Sequence, residues 1–210
     1  MKIEHFVVGP VQTNCYFVIN DNAELIVIDP GASGNRLAGM AKDKGYKPVA
    51  ILLTHGHFDH AEGIEDFTNA FGGTDIPVYA HIEEKQTLSD PGINLSAMMQ
   101  GTGVSYHADV FLKDEQEIEL AGFKIRALHT PGHTQGGCCF YFYEENTLFS
   151  GDALFAGSIG RTDFPGGSTR DLVRSVKEKC LSLPDATKVY PGHEGYTTIG
   201  DEKKYNMFLQ

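Results

Sequence analysis

Cysteine is scarce in this 210-residue sequence: Cys15, Cys138, Cys139 and Cys180 are the only four, and none form a C-x-x-C pair. That excludes a disulfide scaffold and points to small buried thiols, Cys138 and Cys139 lying inside an apolar run. Basic residues are also few, 17 Lys and Arg against 28 Asp and Glu, a net charge of −11. So acidic a chain offers no general phosphate-binding surface, and no nucleic-acid partner is expected. No apolar run approaches the ~18 residues of a bilayer span. The start, Met1-Lys2-Ile3-Glu4-His5, lacks a signal-peptide pattern. A soluble cytoplasmic protein with no membrane partner is therefore expected. Low-complexity and linker-like stretches are missing too, so residues 1–210 are expected to form one domain, long enough to bury a core without staples.

Strand and helix patterns fill the chain instead. Lys2–Val8, Cys15–Ile19 and Leu25–Ile28 read as strands, the last two joined by a turn at Asn20-Asp21-Asn22. Helical spacing covers Asn35–Lys44, and Val49–Leu53 is a continuous apolar run, as in a buried strand. A helix is expected over Ala61–Ala70, a strand over Ile76–Ala80, and loop over most of 90–107. Strands return at Val110–Leu112, Glu117–Leu120, Phe123–Leu128, Gly137–Tyr143 and Thr147–Ser150. Leu172–Leu183 is amphipathic, with Ser168 or Thr169 as its cap, Thr187–Tyr190 is a strand, and Asp201–Leu209 is a closing helix. Two β-rich halves, each with helices, predict an α/β (α+β) four-layer αββα sandwich.

Five of the nine histidines sit in short segments near glycine. Thr54-His55-Gly56-His57-Phe58-Asp59-His60 follows the Val49–Leu53 strand directly. His55 and His57, two apart in extended chain, point the same way, and a turn into the next helix lets Asp59 and His60 face a neighbouring position. Neutral imidazole and carboxylate are ligands of zinc and other first-row metals. Three more strand ends carry such groups beside glycine: Pro131-Gly132-His133, Ser150-Gly151-Asp152 and Pro191-Gly192-His193. Strand ends converge on one edge of a sandwich. His55, His57 and His133 can then serve one metal, Asp59, His60 and His193 a second, with Asp152 bridging. Without this context His5, His81, His107 and His129 read as packed or hydrogen-bonded histidines.

At these residues the sequence resembles the metallo-β-lactamase superfamily: T-H-G-H-F-D-H, P-G-H-T, F-S-G-D and Y-P-G-H occur in order. More narrowly it is similar to the short glyoxalase II-like hydrolases in Gly160-Arg161-Thr162-Asp163-Phe164-Pro165-Gly166-Gly167-Ser168, in Gly192–Gly200 and in Pro10–Tyr16. The resemblance implies the metallo-β-lactamase fold and a binuclear site with the same two ligand groups and a bridging Asp152. Gln135 stands where the family often has proline. Full-length glyoxalase II enzymes carry a further C-terminal helical domain with glutathione-binding residues, to which nothing in this sequence corresponds.

Two divalent metals, zinc by default from His and Asp donors, with iron or manganese fitting the same set, acidify a shared water into hydroxide. The expected activity is hydrolysis of a small-molecule thioester such as S-(2-hydroxyacyl)glutathione, with Asp59 and Asp152 catalytic. Arg161 either supports the metal loop or meets an anionic substrate, or simply pairs with Asp163. Rival readings are an iron-dependent persulfide dioxygenase, a lactone or β-lactam hydrolase, a nuclease and a non-enzymatic metal-binding module. Oligomeric state is not fixed by the sequence; a monomer is compatible with it.

Overall fold

The chain opens with two antiparallel strands, β1 (Lys2–Val8) and β2 (Thr13–Ile19). Every residue of β2 is buried. Tyr16 and Val18 enter one hydrophobic cluster, while Cys15, Phe17 and Ile19 enter another. Side chains alternate across a strand, so a strand buried on both faces lies inside a layered molecule. The structure, a computed structural model, describes residues 1–73, 76–101 and 103–210.

β3 (Glu24–Ile28), β4 (Lys47–Leu52), β5 (Val78–His81) and β6 (Val110–Leu112) complete the first sheet in the order β1-β2-β3-β4-β5-β6. From β3 to β6 neighbouring strands run parallel, which requires crossovers. These carry α1 (Gly34–Asp43), α2 (Phe58–Ala61), α3 (Ile64–Ala70), α4 (Lys85–Ser89) and α5 (Ser96–Gln100). The second sheet comprises β7 (Glu117–Leu120), β8 (Phe123–His129), β9 (Cys138–Phe142) and β10 (Thr147–Gly151). A small ribbon, β11 (Leu154–Phe155) with β12 (Ser158–Ile159), follows. β13 (Lys188–Pro191) then joins β10 in parallel, with β14 (Thr197–Thr198) at the edge; α6 (Thr169–Ser175) and α7 (Ile199–Tyr205) cover this sheet.

Three clusters define the layers. Tyr16, Val18, Ile26 and Leu52 of the first sheet meet Ile125, Phe140, Phe142 and Phe149 of the second. Leu37, Ala41 and Phe67 cover the outer face of the first sheet against Phe17, Val27 and Ile51. Leu172, Val176 and Ile199 cover the second against Tyr141, Leu148 and Val189. This is the αββα sandwich expected from the strand and helix pattern.

Several local expectations change. The helix expected over Ala61–Ala70 is found as α3, starting at Ile64, and a separate short helix, α2, precedes it; between them Gly63 N donates 2.8 Å to Pro30 O. The segment 90–107 contains α5, and α4 precedes it; residue 102 lies outside the described residues. Buried Asn94 orders this stretch: its side chain donates to Leu88 O and Val104 O and accepts from Ser96 N. The helix expected over Leu172–Leu183 starts at Thr169, capped by Ser168, and widens into a π turn at Val176–Cys180, where Leu181 N bonds Val176 O. The closing helix begins at Ile199 and gives way to a 3₁₀ turn, Met207–Leu209. All four cysteines are buried and unpaired.

Candidate metal centre

Four loops leave the ends of β4, β8, β10 and β13 on one edge of the sandwich, and the seven predicted side chains meet there. His57 Nδ1 lies 3.1 Å from His55 Nε2 and 3.0 Å from His133 Nε2. Beside this triad, Asp59 Oδ2 lies 3.6 Å from His60 Nε2 and 3.4 Å from His193 Nε2. Asp152 stands between them: Oδ1 is 3.4 Å from His60 Nε2, and Oδ2 is 3.5 Å from both His133 Nε2 and His193 Nε2. The Gly192 backbone packs closely against this group. A Cβ on Gly192 would collide with Asp152 Oδ1 and lie 2.7 Å from His60 Cε1.

The far side of each ring decides what its near side offers. Asp29 accepts from Thr54 N at 2.8 Å and from Thr54 Oγ1 at 2.7 Å, and its Oδ2 accepts from His60 Nδ1 at 2.9 Å. With the Thr54 hydroxyl proton committed to Asp29, His55 Nδ1 donates to Thr54 Oγ1 across 3.1 Å. His133 Nδ1 donates to the Arg161 carbonyl at 2.7 Å. Neutral rings held this way present Nε2 lone pairs inward.

Inward lone pairs facing carboxylates fit cations. His60 Nε2 and Asp152 Oδ1 are buried and have no hydrogen-bond partner among the described residues. Burial, then the neighbouring imidazoles, push His55 well below the usual histidine range. Burial and His133 do the same for His57, so both rings are held neutral as ligands require. Burial opposes charge on His60, but Asp59, Asp152 and Asp29 outweigh it and push the ring up to about 10. Burial would raise Asp59; His60, His193 and the Thr13 hydroxyl, which donates 2.9 Å to Oδ2, hold it well below the usual carboxylate range.

Arg161 divides its contacts between side chain and backbone. Its guanidinium bonds Asp163 twice at 2.7 Å and lies 3.9 Å over the Phe164 ring, while its carbonyl holds His133. His5 bonds Asn14, and His81 and His129 stack at 4.0 Å. Sequence reasoning missed Asp29, Glu84, Thr13 and Asn14. Asn14 Nδ2 donates to Pro191 O and Glu194 O, fixing the His193 loop. Glu84 accepts from Gly56 N, Thr134 Oγ1 and Gly136 N. Burial pushes Glu84 up to about 7, and these bonds oppose the rise.

The family model of the metallo-beta-lactamase superfamily matches residues 8–193. The chain belongs to that superfamily. It is 40% identical to the probable metallo-hydrolase YqgX of Bacillus subtilis, covering all of this chain and 98% of that one. It is 37% identical to the hydroxyacylglutathione hydrolase GloC of Haemophilus influenzae, again over the whole chain and 98% of the relative. Among solved structures, the BLEG-1 B3 metallo-beta-lactamase superposes with a TM-score of 0.92 at 40% identity over 99% of both chains. TTHA1623 in a di-iron-bound form gives 0.83 at 37% identity, covering 98% of this chain and all of that one. Superfamily membership makes the chain a metallohydrolase whose His and Asp cluster is suited to metal. Among the described residues no helix is long and apolar enough to cross a membrane.

Proposed function

We propose that this protein is a binuclear metal-dependent hydrolase that cleaves small thioesters, of the S-(2-hydroxyacyl)glutathione kind, to a hydroxy acid and a thiol in the cytoplasm. The observation that carries the reading is Asp152, whose two oxygens face both histidine groups. His55, His57 and His133 would hold one cation, Asp59, His60 and His193 the other, and Asp152 both. When bound, such a pair supplies Lewis acidity toward a carbonyl and an acidified water as nucleophile.

The chain's own residues do the rest. Asp29, Thr54 and the Arg161 carbonyl keep Nε2 lone pairs aimed inward. Thr13 orients Asp59, whose ionised carboxylate can also align the nucleophile. A groove of about 440 Å³ opens over the cluster, with Leu95, Met99, Phe155, Ile159 and Phe164 among its lining residues. That lining suits the acyl and thiol portions of a substrate, and a thiolate leaves without a strong acid to protonate it. The relation to GloC supports the thioester reading, and the relation to BLEG-1 favours a second one, β-lactam hydrolysis. His and carboxylate donors suit zinc first; the di-iron neighbour shows that a related scaffold takes iron.

Turnover of S-lactoylglutathione and of a chromogenic cephalosporin by wild type and Asp152→Asn tests this. We expect thioester hydrolysis to exceed lactam hydrolysis, and Asp152→Asn to lose metal and at least ~100-fold in kcat/KM, about 3 kcal/mol. Unchanged turnover in Asp152→Asn overturns the proposal; dominant lactam turnover favours the second reading.

A further inference from the structure

Glu84 is fully buried at the end of the 3₁₀ turn Ile82–Glu84 that follows β5. Among the described residues it has no Lys or Arg partner within ion-pair distance. A buried carboxylate is costly unless hydrogen bonds replace its hydration. Here hydrogen bonds do so: Gly56 N at 2.8 Å to Oε1, and Thr134 Oγ1 at 3.0 Å and Gly136 N at 2.7 Å to Oε2, with the Thr87 hydroxyl also against the carboxylate. Gly136 is needed for this approach, because a Cβ there would collide with Glu84 N.

The identity of the donors is informative. Gly56 sits between His55 and His57, and Thr134 follows His133. The first loop leaves β4 of one sheet; the second joins β8 to β9 of the other. One carboxylate therefore spans the two sheets and fixes the separation of the two loops that present the three-histidine group. None of its donors adjoins Asp59, His60 or His193. That second group is held by Thr13 and Asn14, and by Asp29, which through Thr54 also orients His55.

We propose that Glu84 is a positioning residue that assembles the His55, His57 and His133 metal position selectively, leaving the Asp59, His60 and His193 position to form without it. The inference rests on reading the two groups as metal positions and is independent of the substrate. Replacement by glutamine leaves one acceptor oxygen for these donors and turns an NH₂ toward at least one of them.

The test is zinc titration of wild type and Glu84→Gln against a competing chelator, with anomalous diffraction assigning occupancy to each position. Glu84→Gln is expected to lose about 10–100-fold in affinity at the three-histidine position, the usual scale for groups behind a ligand. The other position should stay within about threefold. A general loss of stability would weaken both alike, so equal losses, or no loss, overturn the proposal. Should Glu84→Gln fail to fold, Thr134→Val removes a single donor. It is expected to show a roughly 3–10-fold loss at the same position only, and an even or absent effect overturns the proposal. Wild type that takes up no zinc at either position overturns the metal reading, and this inference with it.

Discussion

Arg161 shows how one residue can serve the site through its backbone while its side chain does something separate. The guanidinium is engaged by Asp163 at an exposed position, where solvent screens the pair and it adds little stability. The contact to His133 comes from the carbonyl, which any residue supplies. Arg161→Ala should therefore keep full metal content and lose less than about 1 kcal/mol of stability, as read by metal analysis and urea melts. Loss of metal would place the side chain in the metal loop's support. The residues that face the cluster were legible because their signal is local: His55 to His60 span one strand end, and each remaining group stands beside a strand-ending glycine. Asp29 and Glu84 were not, because their partners are distant, His60 lying 31 residues from Asp29 and Gly136 lying 52 from Glu84. Neither an acid just past an apolar strand, as Asp29 is, nor one of two adjacent acids in a short turn, as Glu84 is, hints at such a partner.

At the scale of elements, strands with sustained apolar runs were readable and short or tertiary-ordered pieces were not. β11 and β12 have two residues each, too few for any period. α5 depends on Asn94, which reaches Val104 in the returning chain, and the break between α2 and α3 depends on Pro30. The ends of β5 and β8 meet through His81 stacked on His129. Burial, then the neighbouring imidazole, lowers His81 to about 4. In the unfolded chain His81 takes up its proton near pH 6.5, whereas in the folded protein it resists until about 4. Its contribution is thus fully present above pH 6.5 and is lost as pH falls toward 4. Urea midpoints of His81→Phe should fall less steeply than those of wild type between pH 7 and 5. Parallel pH profiles would show that His81 does not titrate as described.

Across the whole molecule, two sheets from separate halves of the chain bring four loops to one edge, and the edge gathers Asp29, Asp59 and Asp152 around buried imidazoles. The layering was legible because strands buried on both faces read as continuous apolar runs. Cations that bind only the folded state should stabilise it by about 4 kcal/mol each at a thousandfold excess over Kd. Chelation of both is therefore expected to lower Tm by roughly 20 °C, with recovery on adding zinc, followed by calorimetry. A Tm unmoved by chelation of metal-loaded protein would contradict that linkage.

The central claim, a two-metal hydrolase, is tested most directly by metal content measured on the same sample as S-lactoylglutathione turnover, in air and without oxygen. The account predicts two metal ions per chain and the same hydrolysis rate in both atmospheres. One iron per chain, with oxygen uptake on glutathione persulfide and no thioester hydrolysis, would contradict it.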